Sequence, residues 1–293
     1  MTDTARRGRL CAGSRAFGGF VGMDALDRND PPDLDGAVRP AARGVTALFK
    51  RAAAHGIDMV MPPRCFVCHK TLEMRDALCG ACWSGIQFIR EPLCDRLGIP
   101  LPFGVGEVMV SAAALAHPPA YDRARAVAHF SGTMRIMVHQ LKYADRHEGR
   151  VLLGRWLQAA GRDLLVGVDL IVPVPLSRGR LLWRRFNQAA LLGQQLARTT
   201  GLPFAPTALM RRRATRPQVG LTHDQRRRNV SGAFEVRRSG QALVRGRAVL
   251  LIDDVITTGA TVEACAQALR RAGASRVDVL ALGLVTNEAR ILG

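Results

Sequence analysis

Residues 249–261, which read VLLIDDVITTGAT, decide the fold of this chain. An apolar run of the kind found in buried parallel strands ends in Asp253 and Asp254, and a turn rich in Thr and Gly then leads into an Ala-rich helix. Backbone N–H groups at the start of such a helix and threonine hydroxyls bind phosphate, and a glycine lets the backbone approach it. The residues predicted to bind phosphate in this way are Thr257, Thr258, Gly259, Ala260 and Thr261.

The two carboxylates extend this prediction from a phosphate to a sugar phosphate. Asp253 and Asp254 lie one step upstream of the turn, where ribose hydroxyls or a sugar-bound Mg²⁺ would be held. A simpler interpretation, a strand followed by an N-capped helix, explains Thr261 but not two adjacent acids at the end of an apolar strand. The sequence contains neither the Gly-x4-Gly-Lys pattern of a P-loop nor a Rossmann fingerprint.

Strand-like and helix-like segments alternate along the chain before and after this stretch. The predicted strands are 108–115, 126–130, 170–174, 248–252 and 277–284. The predicted helices are 134–143, 151–165, 181–199 and 261–272. This alternation is typical of the α/β class, with a largely parallel sheet flanked by helices. We see no internal repeat in the sequence.

Four cysteines form two CxxC pairs, which indicate a metal site. Cys65 and Cys68 are separated by ten residues from Cys79 and Cys82. Each pair aims two thiolates at one point, and two pairs complete the tetrahedral S4 set that Zn²⁺ prefers. With all four positions supplied by the protein, the zinc would be structural. The alternatives are four ordinary buried thiols, a redox CxxC, or His69 in place of one cysteine ligand.

Composition and charge limit the classes of protein to which this chain could belong. The 293 residues are 48 % hydrophobic and 23 % charged, which excludes a mostly disordered or fibrous chain. No apolar run is long enough to span a membrane, and no secretory signal is visible, so we expect a cytoplasmic protein. The formal charge of +18 favours polyanions, and residues 211–247 alone hold eleven arginines against two acidic residues. We interpret residues 211–231 as a mobile loop or hairpin that is either an active-site loop or a nucleic-acid surface.

Residues 249–261 resemble the 13-residue PRPP-binding motif of type I phosphoribosyltransferases. The wider sequence resembles the ComF/GntX family, which joins a zinc-ribbon-like module to such a domain. The segments that carry this resemblance are residues 65–82, 141–143, 172–176, 185–188, 213–218 and 226–229. The sequence departs from the family pattern at Leu97, where a third Cys pair beginning at Cys94 would end, and at Arg185, where the family has Gly before Phe186. We therefore expect one equivalent of zinc.

The resemblance implies a domain organisation and a set of site residues. The composition predicts a disordered lead at 1–43, and the spacing of apolar residues predicts a short helix after it. With the resemblance, the organisation continues as a module at 44–104, which joins this helix to the zinc ribbon, and a phosphoribosyltransferase-like domain at 105–293. Asp253 and Asp254 would be the catalytic residues and would contact the ribose. Arg178, which follows the predicted strand 170–174, would meet the pyrophosphate of PRPP. The implied cofactors are structural Zn and, with PRPP, Mg.

Two functions remain open at this point. The first is phosphoribosyl transfer from PRPP, or a related phosphorylated sugar, to an acceptor that the sequence does not identify. The second is a non-catalytic accessory protein that binds PRPP, a nucleotide or single-stranded DNA, and works with the competence machinery in DNA uptake.

Overall fold

The computed structural model describes residues 62–104, 108–142, 149–176, 186–213, 225, 230 and 232–286. All of them belong to one compact unit, Ala54–Gly293. The predicted lead, the predicted short helix after it, and Arg178 lie outside the described residues.

A parallel sheet forms the centre of this unit. Its strands are β1 (Arg123–His129), β2 (Leu170–Pro173), β5 (Ala248–Ile256) and β6 (Arg276–Leu284). They lie in the order β1-β6-β5-β2, and every neighbouring pair is parallel. A separate antiparallel pair consists of β3 (Leu209–Arg211) and β4 (Phe234–Val236). The order places β5, which carries the acidic pair, inside the sheet.

Helices cover both faces of the sheet. The described residues form the helices α1 (Gly80–Ser84), α2 (Ala112–Ala116), α3 (Gly132–Lys142), α4 (Arg150–Ala160), α5 (Gln188–Thr200), α6 (Arg238–Val244) and α7 (Ala260–Arg271). Of these, α3, α4, α5 and α7 pack on the strands of the sheet. Leu250 and Ile252 of β5 join one apolar core, with residues of α3, α4 and α5. Val249 and Leu251 join the second core, with residues of α7. This alternation is what a strand buried on both faces requires, and it confirms the predicted α/β class.

Three features of the structure differ from the element predictions. The strand predicted at 108–115 is wrong, because the side chain of Ser111 accepts a hydrogen bond from Ala114 N and begins helix α2. The helix predicted to reach 165 ends at Ala160. Strands β3 and β4 are only three residues each and were not predicted, because so short a segment carries no periodicity. None of the helices in the described part of the chain has the length and hydropathy needed to cross a bilayer.

Candidate phosphate-binding site and metal centre

The acidic pair lies at the carboxyl edge of the sheet. Asp253 is in register with Ala281 of β6, and the preceding residue, Ile252, is in register with Pro173, the last residue of β2. Asp253 is 9 % exposed, whereas Asp254 is half-buried. Ligands of parallel α/β sheets bind outside the carboxyl ends of the strands, so this position is the one where a bound ligand is expected.

Local hydrogen bonds orient both carboxylates. Asp253 Oδ1 accepts a hydrogen bond from Asp254 N at 2.8 Å, and Asp254 Oδ1 accepts one from Val255 N at 2.8 Å.

Burial raises the pKa of the Cys265 thiol in α7, the charge of Asp253 raises it further, and Arg211 lowers it. Cys265 is therefore a neutral core thiol. The residue that lowers its pKa, Arg211, is the last residue of β3.

The turn after β5 has the backbone that a phosphate site requires. Gly259 has φ +81° and ψ −11°, a left-handed conformation that L side chains rarely adopt, and it is the N-cap of α7. Thr258 Oγ1 accepts a hydrogen bond from Ala260 N at 3.4 Å. Thr257, Thr258, Gly259 and Thr261 are all half-buried around this helix start. The first N–H groups of a twelve-residue helix carry its positive partial charge, so the turn can hold an anion.

Asn187 connects the neighbouring strand to the same edge. Its Nδ2 donates to Val174 O at 2.9 Å, directly after β2, and its Oδ1 accepts from Ala189 N at 3.1 Å, which caps α5. In the sequence, Asn187 lies in a segment that resembles the family pattern, and we predicted no role for it. An Asn immediately before a helical apolar period is an N-cap signal, and that signal would have identified it.

A second residue at this edge was also missed. His129 ends β1, and its Nδ1 lies 2.9 Å from Thr286 Oγ1, just beyond β6. Burial lowers the pKa of His129, so the ring is neutral at physiological pH. Its position at the end of a predicted strand was the only sequence signal that it lies on the carboxyl edge.

The arginine-rich segment 211–247 begins in β3 and contains β4, the two strands of the antiparallel pair. Arg211 is in register with Phe234, and its guanidinium carbon lies 5.3 Å from the centroid of that ring. Arg212 forms an ion pair with Glu235 at 3.2 Å. Most of residues 211–231, namely 214–224, 226–229 and 231, lie outside the described part of the chain, so the interpretation of this segment as a loop or hairpin stays a prediction.

The four predicted zinc ligands converge. The sulfur atoms of Cys65, Cys68, Cys79 and Cys82 all lie within 4.8 Å of one another. Cys68 Sγ and Cys79 Sγ are 3.5 Å apart. Zn–S bonds of about 2.3 Å in a tetrahedron place sulfurs about 3.8 Å from one another, so the donor set fits zinc in both chemistry and spacing.

The electrostatics of this cluster are those of a cation site. Burial opposes ionisation of Cys65, but backbone N–H groups of Cys68, Cys79 and Val67 lower its pKa to about 6. Burial and the neighbouring thiols raise the pKa of Cys82. Burial and the neighbouring thiols oppose ionisation in this cluster, and a bound cation would compensate the charge of all four thiolates. Because the protein supplies all four ligands, the zinc is structural.

The zinc module packs on the sheet domain. Gln140 Nε2 in α3 donates to Val67 O, between the first two cysteines, at 3.1 Å. The ring centroids of Trp83 and Trp156 are 5.6 Å apart, and Phe88 lies within 5.3 Å of both. The metal centre is thus fixed to the domain that carries the acidic pair.

Comparison with known proteins agrees with this architecture. The double zinc ribbon domain family matches residues 56–113, and the phosphoribosyl transferase domain family matches residues 188–285. The DNA utilization protein YhgH of Escherichia coli O157:H7 is 35% identical over 236 residues, which are 76% of this chain and 98% of that protein. The chain belongs to the ComF/GntX family. Another relative of this ComF/GntX protein, Competence protein F of Haemophilus influenzae, is 31% identical over 226 residues, 75% of this chain and 96% of that protein.

One solved structure extends the comparison. The glutamine phosphoribosylpyrophosphate (PRPP) amidotransferase from B. subtilis matches 48% of the ComF/GntX chain and 30% of its own, with 23% identity and a TM-score of 0.33. That score is too low to bear on the fold, which rests on the strand order and on the family matches. The phosphoribosyl transferase match starts at the first residue of α5 and includes β5, the turn and α7.

Proposed function

We propose that this ComF/GntX protein binds PRPP, or a related phosphorylated sugar, together with Mg²⁺ at the carboxyl edge of its sheet, and transfers the phosphoribosyl group to an acceptor. The observation that carries the proposal is the contiguous unit of two oriented carboxylates, a left-handed Gly259 and the N-terminus of α7. A carboxylate pair suits ribose hydroxyls and a divalent cation, and the helix start suits a phosphate.

Each predicted site residue has a role in this proposal. Asp253 and Asp254 would orient the ribose and hold Mg²⁺. The 5-phosphate would lie in the turn formed by Thr257, Thr258, Gly259, Ala260 and Thr261. Arg178 would contact the pyrophosphate.

The reaction needs charge neutralisation more than a strong nucleophile. The bond from ribose C1 to a pyrophosphate oxygen breaks, its electron pair leaves with the pyrophosphate, and C1 passes through an oxocarbenium-like state before it bonds to the acceptor. Mg²⁺, when bound, supplies positive charge at the leaving pyrophosphate. The acids of this chain hold the sugar in position, and Asp253, only 9 % exposed, provides a negative charge that water screens weakly.

Calorimetry with PRPP and Mg²⁺ tests the binding step. We expect the unmodified protein to bind and Asp253→Asn plus Asp254→Asn to weaken binding at least about tenfold, which corresponds to about 1.4 kcal/mol. The matched control is Glu73→Gln plus Glu91→Gln, which removes the same charge from two exposed residues of the zinc module. Absence of binding by the unmodified protein, or equal weakening by both double variants, would contradict the proposal.

Turnover is tested separately. Pyrophosphate release is followed with PRPP, Mg²⁺ and each of the common nucleobases as acceptor. Release with one base, lost in the Asp253→Asn plus Asp254→Asn variant, supports transfer. PRPP binding without release on any of these bases favours the non-catalytic candidate.

A non-catalytic role with DNA is the second candidate. Relatives carry the names DNA utilization protein and Competence protein F, and the chain has a formal charge of +18. A protein that neutralises DNA phosphates loses affinity steeply as salt rises. Affinity for a single-stranded oligonucleotide is therefore measured between 50 and 200 mM salt, where a slope near zero would reject this candidate.

A further inference from the structure

The first zinc ribbon has a defined pattern of backbone hydrogen bonds around its first cysteine pair. Cys65 N donates to Lys70 O at 2.8 Å, and His69 N donates to Cys65 O at 3.0 Å. Leu72 N donates to Pro63 O at 2.8 Å. His69 has φ +61°, which turns the chain back after the knuckle.

The same pattern recurs at residues 92–101. Cys94 N donates to Ile99 O at 2.8 Å, and Gly98 N donates to Cys94 O at 2.8 Å. Leu101 N donates to Pro92 O at 2.9 Å, and Gly98 has φ +64°. Every donor and acceptor is at the same spacing from Cys94 as its counterpart is from Cys65. We expected no internal repeat from the sequence, and the matching hydrogen bonds show that this expectation is wrong for the backbone.

The second halves of the two segments correspond as well. Cys79 is the N-cap of α1 with φ −70° and ψ 157°, and its N–H donates to Cys65 Sγ at 3.4 Å. Ser111 is the N-cap of α2 with φ −66° and ψ 154°, and its N–H donates to Cys94 Sγ at 3.2 Å. The fourth ligand of the first ribbon, Cys82, lies three residues after Cys79. The residue three positions after Ser111 is Ala114. Residues 92–104 and 108–116 therefore repeat the backbone pattern of the first ribbon.

The side chains at the four ligand positions of this second ribbon do not fit a metal. They are Cys94, Leu97, Ser111 and Ala114. Leucine and alanine offer no donor atom, so at most a thiol and a hydroxyl remain where structural zinc needs four ligands. Among the described residues, no second group of three or more His, Cys, Asp or Glu side chains comes together.

The donor atoms that remain are used within the ribbon. Cys94 Sγ accepts hydrogen bonds from Leu97 N at 3.5 Å and from Ser111 N at 3.2 Å. Ser111 Oγ accepts one from Ala114 N at 3.3 Å. Cys94 is 0%, Ala114 1% and Ser111 6% exposed, and Cys94 and Ala114 belong to the apolar core that continues into α7.

An ion pair fastens this segment to the sheet. Arg125 of β1 donates to Asp95 Oδ1 at 2.6 Å and to Asp95 O at 2.8 Å. Asp95 follows Cys94, so the pair holds the knuckle itself. We propose that residues 92–104 and 108–116 form a zinc ribbon that takes no metal, in which core packing, hydrogen bonds to one sulfur and the Arg125–Asp95 pair replace the ion. The protein then binds one zinc per chain, although the matching family is described as a double ribbon.

Metal content of the full chain is the first test. We expect one zinc per chain in the unmodified protein and none in Cys65→Ser plus Cys79→Ser. The control Cys94→Ala is expected to keep one zinc. Two zinc ions per chain, or one ion that survives in Cys65→Ser plus Cys79→Ser and is lost when Cys94→Ala is added, would overturn the proposal.

Hydrogen exchange on the full chain compares the two ribbons within one molecule. After zinc is removed with a chelator, the amides of Cys65, His69 and Leu72 are expected to lose protection. Their counterparts at Cys94, Gly98 and Leu101 are expected to keep it, because no metal holds them. Loss of protection in both segments would mean that a metal supports both, and the proposal would fail.

Restoring the ligands tests the shared geometry. The variant Leu97→Cys, Ser111→Cys, Ala114→Cys is expected to bind two Co²⁺ per chain with the absorption of tetrahedral thiolate coordination, where the unmodified protein binds one. If this variant keeps the exchange protection of the parent and still binds one cobalt, the two ribbons do not share ligand geometry and the inference is wrong.

Discussion

Replacement of Arg125 by methionine is expected to destabilise the protein by about 2 kcal/mol. Arg125 Nη1 donates to Asp95 O at 2.8 Å and to Ala124 O at 2.9 Å. Arg125 Nη2 donates to Asp95 Oδ1 at 2.6 Å and to Asp163 Oδ2 at 2.7 Å. Methionine keeps most of the apolar stem, so the change removes the guanidinium and its hydrogen bonds more than the packing.

The magnitude follows from the exposure of the partners. The Arg125 side chain is 12% exposed, Asp95 27% and Asp163 46%. A hydrogen bond to a charged group contributes about 1.5–3 kcal/mol net when shielded, but an exposed pair contributes less than about 1 kcal/mol. We therefore assign the Asp95 hydrogen bonds nearly the full contribution of a shielded pair to the free energy of unfolding, and the Asp163 hydrogen bond only a small contribution. Water returns to both carboxylates in the variant, which limits the total to about 2 kcal/mol.

Thermal and urea unfolding measure this loss. A domain of this size shifts its Tm by about 2–4 °C per kcal/mol, so Arg125→Met should lower the Tm by about 4–8 °C. The matched control is Arg135→Met on an exposed position of α3, where we expect a change within about 0.5 kcal/mol. Equal Tm values for Arg125→Met and the control would refute the reasoning, because the Arg125–Asp95 pair would then not hold the second ribbon to the sheet.

Three further predictions concern the backbone, the core and pH. Gly98→Ala should lower the free energy of unfolding in urea by at least about 1 kcal/mol more than Gly201→Ala does. Both glycines have positive φ, but a Cβ on Gly98 would lie 2.5 Å from Ala124 O, whereas a Cβ on Gly201 would have nothing within 4 Å. Equal losses of stability in the two variants would contradict this prediction. Leu250→Ala, at a position of β5 that is 0% exposed, should cost about 2–5 kcal/mol, and a loss below about 1 kcal/mol would argue against the described core. Burial lowers the pKa of His129 below 6.5, so the unfolded chain binds its proton more readily and stability is lost as pH falls through that value. The stability of His129→Gln relative to the unmodified protein should therefore improve between pH 7.5 and 5.5, and a constant difference would show that His129 does not contribute.

The parts of the site that the sequence predicted are contiguous in the chain. Asp253, Asp254 and the turn to Gly259 belong to one strand-turn-helix segment, so their chemistry is visible without any long-range contact. The Cys65 and Cys79 pairs are likewise two local turns, and their spacing alone indicates a common metal. The oriented carboxylates and the converging sulfurs then follow from local backbone geometry.

Residues whose role depends on distant partners were missed. Asn187 matters because it reaches Val174 at the end of β2, and His129 because it contacts Thr286 beyond β6. Neither contact leaves a periodicity or spacing in the sequence. The strand predicted at 108–115 is wrong for a related reason, since Ser111 begins a helix as part of a ribbon whose other half starts at Cys94.

The sequence by itself determined the α/β class, the zinc cluster and the strand-turn-helix unit that carries the acidic pair. These features are encoded by residue types at short spacings, where chemistry and local geometry act on neighbouring residues. Only the tertiary structure decided the strand order β1-β6-β5-β2, the contacts of Asn187 and His129, and the second ribbon. In the sequence that ribbon is marked only by Cys94, because the fold retains its backbone hydrogen bonds, which any residue can make, while the other ligand side chains are replaced at Leu97, Ser111 and Ala114.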